Sequence, residues 1–441
     1  MNRNFFGTDG IRAIVGTGPL TASMLPMLGN AIARWAKTKY KMHPSILLAH
    51  DTRSSCYFIK ATLKSGLLLH TVKLYDFLAL PTPAACLLIR NNKLFDCGII
   101  ITASHNPHQY NGIKVIDSKG NKISHEDENI IRNFLEQQTE KNDYITFGTE
   151  YRVTNAGAHY LDILCKRFNQ QFLAEKTIAL DCANGATASL APHIFRLFGA
   201  KVIAINDKPK GSNINKNCGT LHPDELQKIM KKGNVDAGFA FDGDGDRVIA
   251  VNRYGAIKDG DDILAMLMAN QLYVDTPAIV GTQFSNHGLE QFLNQKGKLF
   301  FRTEVGDKNV THKIAAENLL IGGEPSGHII VPSYLESSDG IFAALHLLET
   351  IIESDNFDME SFTRYPQRFF NVPINAKKDL KSSPFAKIIQ DGRSALDNGR
   401  LIIRYSGTEN VLRIMLETAD EKQAEIIGAH LAKQLGKLLS T

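Results

Sequence analysis

The sequence lacks the long apolar runs that mark membrane and secreted proteins. Its longest purely apolar stretches, such as residues 98–101, have the length of a strand, far below the roughly 18 residues that a membrane span needs. The amino terminus turns polar before an apolar segment can form, so we expect no secretory signal. Neither a membrane-spanning nor a secreted protein is predicted.

Paired cysteines and basic blocks are also missing. The six cysteines, at positions 56, 86, 97, 165, 182 and 218, include no Cys-x-x-Cys pair, which disfavours zinc and redox motifs. We expect free thiols in a reducing compartment, and therefore a cytoplasmic protein. The 50 basic and 46 acidic residues give a net charge of +4. This near balance supports neither a nucleic-acid nor a membrane partner, so neither is predicted.

Three consecutive parts of the sequence alternate short apolar runs with segments of helical periodicity. This order is typical of parallel sheets with crossover helices. After about residue 370 the order changes to strand, helix, strand, loop, strand and helix, which indicates an α+β unit. We therefore predict an α/β fold of three similar βαβ-type domains with mixed or parallel sheets, at residues 1–155, 156–255 and 256–368, followed by a C-terminal α+β domain at residues 369–441.

Polar loops follow the third predicted strand of each βαβ-type domain. They are ASHNP at 103–107, DGDGDR at 242–247 and GEPSGH at 323–328. Because ligands of open parallel sheets bind beyond the carboxyl ends of the strands, these loops are the candidate functional loops. A fourth loop, SGTEN at 406–410, follows the strand LIIR in the last domain.

The second loop carries Asp242, Asp244 and Asp246, separated by single glycines. Carboxylates this close repel one another unless a cation lies among them, and Mg²⁺ prefers such oxygen ligands. A calcium EF-hand is excluded because Arg247 and Arg253 stand where its Gly and Glu are required. We predict a Mg²⁺ site here, with Arg247 placed to hold a phosphate beside the metal.

The first loop offers Ser104 beside His105. The loop is not the G-x-S-x-G elbow of hydrolases, and neighbouring side chains of an extended loop point apart, so we expect His105 to be poorly placed as a base for Ser104. With a metal loop in the same chain, a serine that carries a phosphoryl group is favoured. The alternative is an ordinary polar turn ended by Asn106 and Pro107.

The two remaining loops suit a sugar phosphate. Glu324 and Ser326 offer a carboxylate and a hydroxyl for adjacent sugar hydroxyls, although a generic turn is the alternative. Arginines, hydroxyls and backbone amides at 404–413 form a phosphate cradle, although a structural hairpin is the alternative.

Together the motifs resemble the α-D-phosphohexomutase superfamily over the whole chain. They are FGTDGIR (6–12), TASHNP (102–107), NGIK (111–114), DGDGDR (242–247), GEPSGH (323–328) and RYSGTEN (404–410). The resemblance implies four domains around a central cleft and one Mg²⁺ per chain. It implies a phosphoserine at Ser104 that, with Asp242, Asp244 and Asp246, binds the metal. The catalytic set it implies is Ser104, Arg12, Lys114, Arg247 and His105, with Lys114 also a candidate acid or base. The sugar contacts it implies are Glu324, Ser326 and His328, and the phosphate contacts are Arg404, Ser406, Gly407, Thr408 and Arg413.

Within the superfamily, residues 180–203, 211–220 and 239–251 resemble the branch that acts on glucosamine phosphate. This implies conversion of glucosamine 6-phosphate to glucosamine 1-phosphate through a phosphoserine and a 1,6-bisphosphate, for UDP-N-acetylglucosamine synthesis, with a hexose 1,6-bisphosphate as primer. Pro325 departs from the usual sugar loop and leaves mannose and glucose phosphates open as substrates. A phosphatase is disfavoured, a non-catalytic sugar-phosphate sensor is the other alternative, and the resemblance leaves open whether the chain forms a homodimer.

Overall fold

The computed structural model describes residues 5–7, 9–137, 146–396, 398–405 and 410–439. The chain divides into two compact units. The first contains Met1–Phe284 and Phe301–Glu360, and the second contains Ser285–Phe300 and Ser361–Thr441. Among the described residues, no helix combines the length and the apolar character that a membrane crossing requires.

The first sheet has seven strands. They are β1 (Phe6–Gly7), β2 (Gly10–Ile14), β3 (Ser45–His50), β4 (Lys73–Ala79), β5 (Cys97–Ile101), β6 (Tyr110–Ile116) and β7 (Thr149–Arg152), with helices α1 (Met24–Lys39), α2 (Ser55–Leu67), α3 (Thr82–Asn91) and α4 (His125–Glu136). The strand order is β1-β2-β6-β5-β3-β4-β7. Strands β3 and β5 are buried on both faces, which explains their apolar sequences SILLAH and CGIII. Helices α1 and α2 approach closely at Gly66. A Cβ there would lie 1.8 Å from the carbonyl oxygen of Pro26, so only glycine fits.

The second sheet has the order β12-β11-β10-β8-β9. Its elements, preceded by helix α5 (Ala156–Arg167), are β8 (Thr177–Asp181), α6 (Leu190–Leu197), β9 (Lys201–Ile205), α7 (Asp224–Lys231), β10 (Ala237–Phe241), β11 (Val248–Val251) and β12 (Ile257–Lys258). Strand β10 lies parallel to β8 and antiparallel to β11.

The third sheet has the order β14-β13-β15-β16-β17. Its elements are α8 (Gly260–Leu267), β13 (Ala278–Thr282), α9 (His287–Gln295), β14 (Leu299–Thr303), α10 (Asp307–Ala316), β15 (Gly322–Gly323), β16 (Ile329–Val331), β17 (Leu335–Ser338) and α11 (Gly340–Ser354). Strand β15 is parallel to β13 and antiparallel to β16.

The C-terminal part, in the second unit, is an antiparallel sheet of order β18-β20-β19 with two helices. Its elements are β18 (Gln367–Pro373), α12 (Phe385–Ser394), β19 (Arg400–Tyr405), β20 (Val411–Glu417) and α13 (Glu421–Leu439). Gly428 lets α13 lie on the ring of Phe370, since a Cβ there would be 2.0 Å from the ring. The predicted α+β pattern matches these elements.

Each of the three predicted polar loops of the first unit is the turn of a hairpin. The loops join β5 to β6, β10 to β11 and β15 to β16, and every one of these pairs is antiparallel. The prediction of mixed or parallel sheets therefore holds in its mixed form. Parallel pairing joins β5-β3-β4-β7, β10-β8-β9 and β13-β15, whereas the strand after each polar loop returns antiparallel beside the one before it.

Candidate active site

Ser104 lies in the turn between β5 and β6 and is fully buried. Its φ of +50° is in the left-handed region, where non-glycine residues are uncommon. The hydroxyl donates a hydrogen bond to Oδ2 of Asp242 at 2.6 Å, and the backbone N–H donates to Oγ1 of Thr102 at 2.9 Å. The predicted nucleophile thus contacts the predicted metal loop, 138 residues along the chain.

Asp242, Asp244 and Asp246 are buried, and one oxygen from each lies within 4.8 Å of the other two. Burial, followed by the charges of Asp246 and Asp244, raises the pKa of Asp242 to about 8. Oδ1 of Asp244 is buried and has no hydrogen-bond partner among the described residues. A buried carboxylate oxygen without a partner, inside a group of three converging carboxylates, fits a hard divalent cation such as Mg²⁺.

Lys114, on β6, enters the same group of carboxylates. Its amine donates to Oδ2 of Asp244 at 2.8 Å and to Oδ2 of Asp246 at 2.9 Å. Burial opposes the charged amine, but Asp244, Asp246 and Asp9 outweigh it and raise the pKa of Lys114 well above its usual value. Lys114 therefore keeps its proton in this arrangement.

Two further acidic residues, which were not predicted as site residues, connect the site to its surroundings. Asp9 forms ion pairs with Arg12 and with Lys122. The amine of Lys122 also donates to both oxygens of Asp307 at 2.7 and 2.9 Å. Asp9 is part of the quoted motif FGTDGIR, whereas nothing local in the sequence marks the Lys122–Asp307 pair, whose members are 185 residues apart.

His328 contacts Glu324 within the predicted sugar loop. Oε2 of Glu324 lies 2.7 Å from Nδ1 of His328, and Oε1 of Glu324 accepts the backbone N–H of Gly306 at 2.9 Å. Nε2 of His328 lies 3.2 Å from Oδ1 of Asp246. His328 therefore connects the predicted sugar loop to the predicted metal loop.

His105 lies closer to Ser104 than predicted. Its Nδ1 lies 3.3 Å from Oγ of Ser104, so the expectation that the two side chains point apart is wrong. The reason is the left-handed backbone of Ser104, which breaks the alternation of an extended loop. Burial, followed by Arg247 and Arg12, lowers the pKa of His105 to about 4, so the ring is neutral at pH 7.

An open cavity of about 350 Å³ lies against His105, Glu324 and His328. It is lined by Asp9, Arg12, His105, Arg247, Thr282, Phe284, Val305, Gly306, Asp307, Glu324, Pro325, Ser326 and His328. The lining thus combines two arginines from the predicted catalytic set with the three predicted sugar-contacting residues.

The predicted phosphate contacts belong to the second unit. Arg404 and Arg413 are exposed residues that pair directly across β19 and β20. Ser406, Gly407 and Thr408 lie outside the described residues. The structure thus places the two predicted arginines side by side.

Comparison with known proteins agrees with the fold. Models of the phosphoglucomutase/phosphomannomutase family match residues 3–142 (alpha/beta/alpha domain I), 158–255 (domain II), 259–368 (domain III) and 370–434 (C-terminal domain). Phosphoglucosamine mutase of Acinetobacter baumannii (strain ACICU) is 38% identical over 436 residues, which is 97% of this chain and 98% of that protein. Phosphoglucosamine mutase of Psychrobacter sp. (strain PRwf-1) is 35% identical over 99% of this chain and 100% of that protein.

Solved structures show the same fold. A phosphoglucomutase/phosphomannomutase family protein from Burkholderia thailandensis superposes with a TM-score of 0.80 at 20% identity, covering 99% of this chain and 98% of that one. N-acetylphosphoglucosamine mutase from Aspergillus fumigatus, in complex with GlcNAc-6P and magnesium, gives 0.65 at 17% identity, covering 99% and 96%. The chain belongs to the phosphoglucomutase/phosphomannomutase family of α-D-phosphohexomutases. The predicted family, fold class and mutase class of enzyme are confirmed.

Proposed function

We propose that the chain converts glucosamine 6-phosphate into glucosamine 1-phosphate by way of a phosphorylated Ser104. The observation that carries the proposal is the 2.6 Å hydrogen bond from Oγ of Ser104 to Asp242, inside a buried group of three carboxylates. The choice of sugar rests on relatives named phosphoglucosamine mutase, which are 35–38% identical over nearly the whole chain.

Two phosphoryl transfers make up the proposed reaction. In the first, the bond from phosphorus to Oγ of Ser104 breaks while a bond forms to O1 of the substrate, and the O1 proton passes to a base. The resulting 1,6-bisphosphate turns around. In the second, Oγ of Ser104 attacks the phosphorus on O6, the P–O6 bond breaks, and O6 takes up a proton. The phosphoserine is regenerated, and a hexose 1,6-bisphosphate primes an unphosphorylated chain.

Mg²⁺ is the metal that we propose for Asp242, Asp244, Asp246 and an oxygen on Ser104. When bound, it would neutralise the carboxylates and part of the charge of the phosphoryl group. The unpartnered Oδ1 of Asp244 supports this assignment. Magnesium is also present in the complex of the Aspergillus relative.

Positive side chains supply the remaining charge stabilisation. Phosphoryl transfer needs positioning and neutralisation more than covalent help. We assign these tasks to Arg12 and Arg247, which line the cavity, and to Lys114, which keeps its proton. His105 is neutral and lies 3.3 Å from Oγ of Ser104, so it can exchange a proton with that oxygen.

Substrate recognition is divided between two sets of residues. Glu324, Ser326 and His328, in the cavity wall, are proposed to bind sugar hydroxyls. The pair Arg404 and Arg413, directly opposite each other on β19 and β20, is proposed, together with Ser406, Gly407 and Thr408, to bind the phosphate that does not react, because guanidinium groups suit a phosphate dianion. A cytoplasmic location and a role in UDP-N-acetylglucosamine synthesis remain predictions.

The test is turnover with Mg²⁺ and a trace of glucose 1,6-bisphosphate, comparing glucosamine 6-phosphate with glucose and mannose 6-phosphates. We expect preference for glucosamine 6-phosphate, and no turnover by Ser104→Ala with substrate binding retained. Preference for glucose or mannose would keep the mechanism and change the substrate. Failure to isomerise any of the three would favour a non-catalytic sugar-phosphate sensor, and activity in Ser104→Ala would overturn the phosphoserine mechanism.

A further inference from the structure

Asn215, in the loop between β9 and α7, contacts backbone carbonyl groups of the loop that carries Ser104. Its Nδ2 donates to the carbonyl oxygen of Ser104 at 2.8 Å and to that of Asn106 at 3.0 Å. Both acceptors belong to the serine loop, more than 100 residues earlier in the chain. Asn215 lies in the stretch GSNINKNCGT, which the family resemblance included without giving it a task.

Arg53 donates hydrogen bonds to the same two carbonyl oxygens. This fully buried arginine donates through Nη2 to the Ser104 oxygen at 2.9 Å and to the Asn106 oxygen at 2.8 Å, and its Nε pairs with Asp51 at 2.8 Å. The Ser104 carbonyl therefore has both lone pairs satisfied, one by Arg53 from within the first domain and one by Asn215 from the second.

These bonds act on a strained residue. Ser104 adopts φ = +50°, a conformation that persists in a non-glycine residue only when the surrounding structure holds it there. The same conformation places Oγ within 2.6 Å of Asp242. Donors that fix the Ser104 carbonyl thereby also fix the direction of its side chain.

Gly243, in the predicted metal loop, packs against the Ser104 carbonyl oxygen and the Asn215 carboxamide. A Cβ on Gly243 would lie 2.6 Å from the Ser104 carbonyl oxygen and 2.9 Å from Nδ2 of Asn215, so no side chain fits there. Asn215 is itself anchored, because its backbone N–H donates to the carbonyl oxygen of Ala183 at 2.9 Å and its φ is +55°, a conformation that asparagine tolerates.

We propose that Asn215 is a positioning residue for the nucleophile. Its carboxamide holds the Ser104 peptide against the domain that carries Asp242, Asp244 and Asp246, and so sets the distance from Oγ to the metal loop. The inference rests on the proposed function and adds to it a residue that does not line the substrate cavity. Because a misplacement of about 1 Å can cost about 10²-fold in rate, we expect loss of Asn215 to lower kcat by about that factor.

The test compares two variants with a matched control. Asn215→Gly removes the carboxamide and permits the left-handed backbone, and Asn215→Asp keeps the shape but replaces the donor with an acceptor. The control, Asn217→Gly, changes an exposed asparagine with φ = +53° in the same loop. Each protein is assayed for kcat, KM, thermal midpoint, and the rate at which glucose 1,6-bisphosphate phosphorylates Ser104, followed by mass spectrometry.

Both Asn215 variants should lose about 10²-fold in kcat and in the rate of Ser104 phosphorylation. KM and the thermal midpoint should stay near those of Asn217→Gly. A merely structural role would instead lower the thermal midpoint along with kcat. Equal kcat in Asn215→Gly, Asn215→Asp and Asn217→Gly would overturn the inference, as would losses that follow the thermal midpoint. If the wild-type chain isomerises no sugar phosphate, the proposed function fails instead, and the phosphorylation rates alone decide the role of Asn215.

Discussion

The amine nitrogen of Lys114 lies 2.8 Å from Oδ2 of Asp244, and both side chains are only 1% exposed. The chain thus places a positive charge of its own among the carboxylates proposed to bind Mg²⁺. Because buried carboxylates need a compensating charge, Lys114 and a bound cation contribute to the same balance. The stability of the protein should therefore depend on both.

Replacing Lys114 with Met should make folding depend on the metal. Removing one partner of a buried ion pair costs about 3–5 kcal/mol, because it leaves the other charges uncompensated. We expect a loss of that size in the free energy of unfolding in EDTA. The loss should be smaller in excess Mg²⁺, because the less compensated carboxylates of the variant should bind the ion more tightly and the folded variant should therefore gain more stability from it. Urea unfolding in EDTA and in excess Mg²⁺ measures the two losses.

Lys166→Met is the control, because Lys166 is 74% exposed and pairs with Asp162, four residues earlier on α5. Its effect should stay within about 0.5 kcal/mol in either condition. Equal losses for Lys114→Met in EDTA and in Mg²⁺ would show that the metal and the lysine do not share the carboxylates.

Removing the Asp244 carboxylate should weaken the metal site directly. In Asp244→Ala, the Mg²⁺ concentration for half-maximal activity should rise at least about tenfold, since even residues that only orient metal ligands change affinity by about 10–100-fold. Titration of activity with Mg²⁺ measures this change. The exposed Asp224, at the start of α7, provides the control Asp224→Ala. An unchanged titration in Asp244→Ala would contradict the assignment of this ligand.

The strands that carry the functional loops could be predicted because their sequences are short continuous apolar runs. CGIII and AGFAF, which precede the serine loop and the aspartate loop, are buried at every position, and burial on both faces leaves a clear local signal. Strand direction leaves no such signal. Nothing in YNGIKVI states that β6 returns antiparallel to β5, so the hairpin form of the polar loops appears only in the structure.

The candidate site also has residues that the sequence predicts and residues whose placement depends on the fold. Ser104, Asp242 and Glu324 stand in loops whose composition already indicated chemistry. The position of His105 could not be predicted, because it depends on one backbone angle at Ser104. The pair Lys122–Asp307 could not be predicted either, because each residue is an ordinary charged side chain until folding brings them together.

Lys122 and Asp307 should be energetically coupled. The lysine side chain is 13% exposed and the aspartate 9%, and their closest atoms are 2.7 Å apart. A double-mutant cycle with Lys122→Met and Asp307→Asn should give a coupling of about 1–3 kcal/mol in the free energy of unfolding. The exposed pair Lys166–Asp162 should give about 0.3–0.5 kcal/mol in the corresponding cycle. A coupling for Lys122–Asp307 no larger than that of the exposed pair would contradict the prediction.

Asp339 should make stability depend on pH in mild acid. It is buried at the start of α11, where its Oδ1 accepts the backbone N–H of Phe342 at 3.0 Å and its oxygens accept the hydroxyls of Tyr160 at 3.0 Å and Tyr334 at 2.9 Å. Burial raises the pKa of Asp339 to about 6, whereas an unfolded aspartate has a pKa of about 3.9. Between these values the folded chain holds a proton that the unfolded chain has released.

Asp339→Asn should therefore change how stability varies with pH. The contribution of Asp339 is fully present below about pH 4 and is lost as the pH rises to about 6, a change of about 2–3 kcal/mol. Relative to Asp339→Asn, the wild-type protein should lose stability by that amount across this range. Urea unfolding of both proteins from pH 4.5 to 7 measures this difference in stability. Burial also raises the pKa of Asp181 to about 6, but Asp181 is present in both proteins and its contribution cancels. Parallel curves for the two proteins would show that Asp339 is ionised in the folded chain throughout the range.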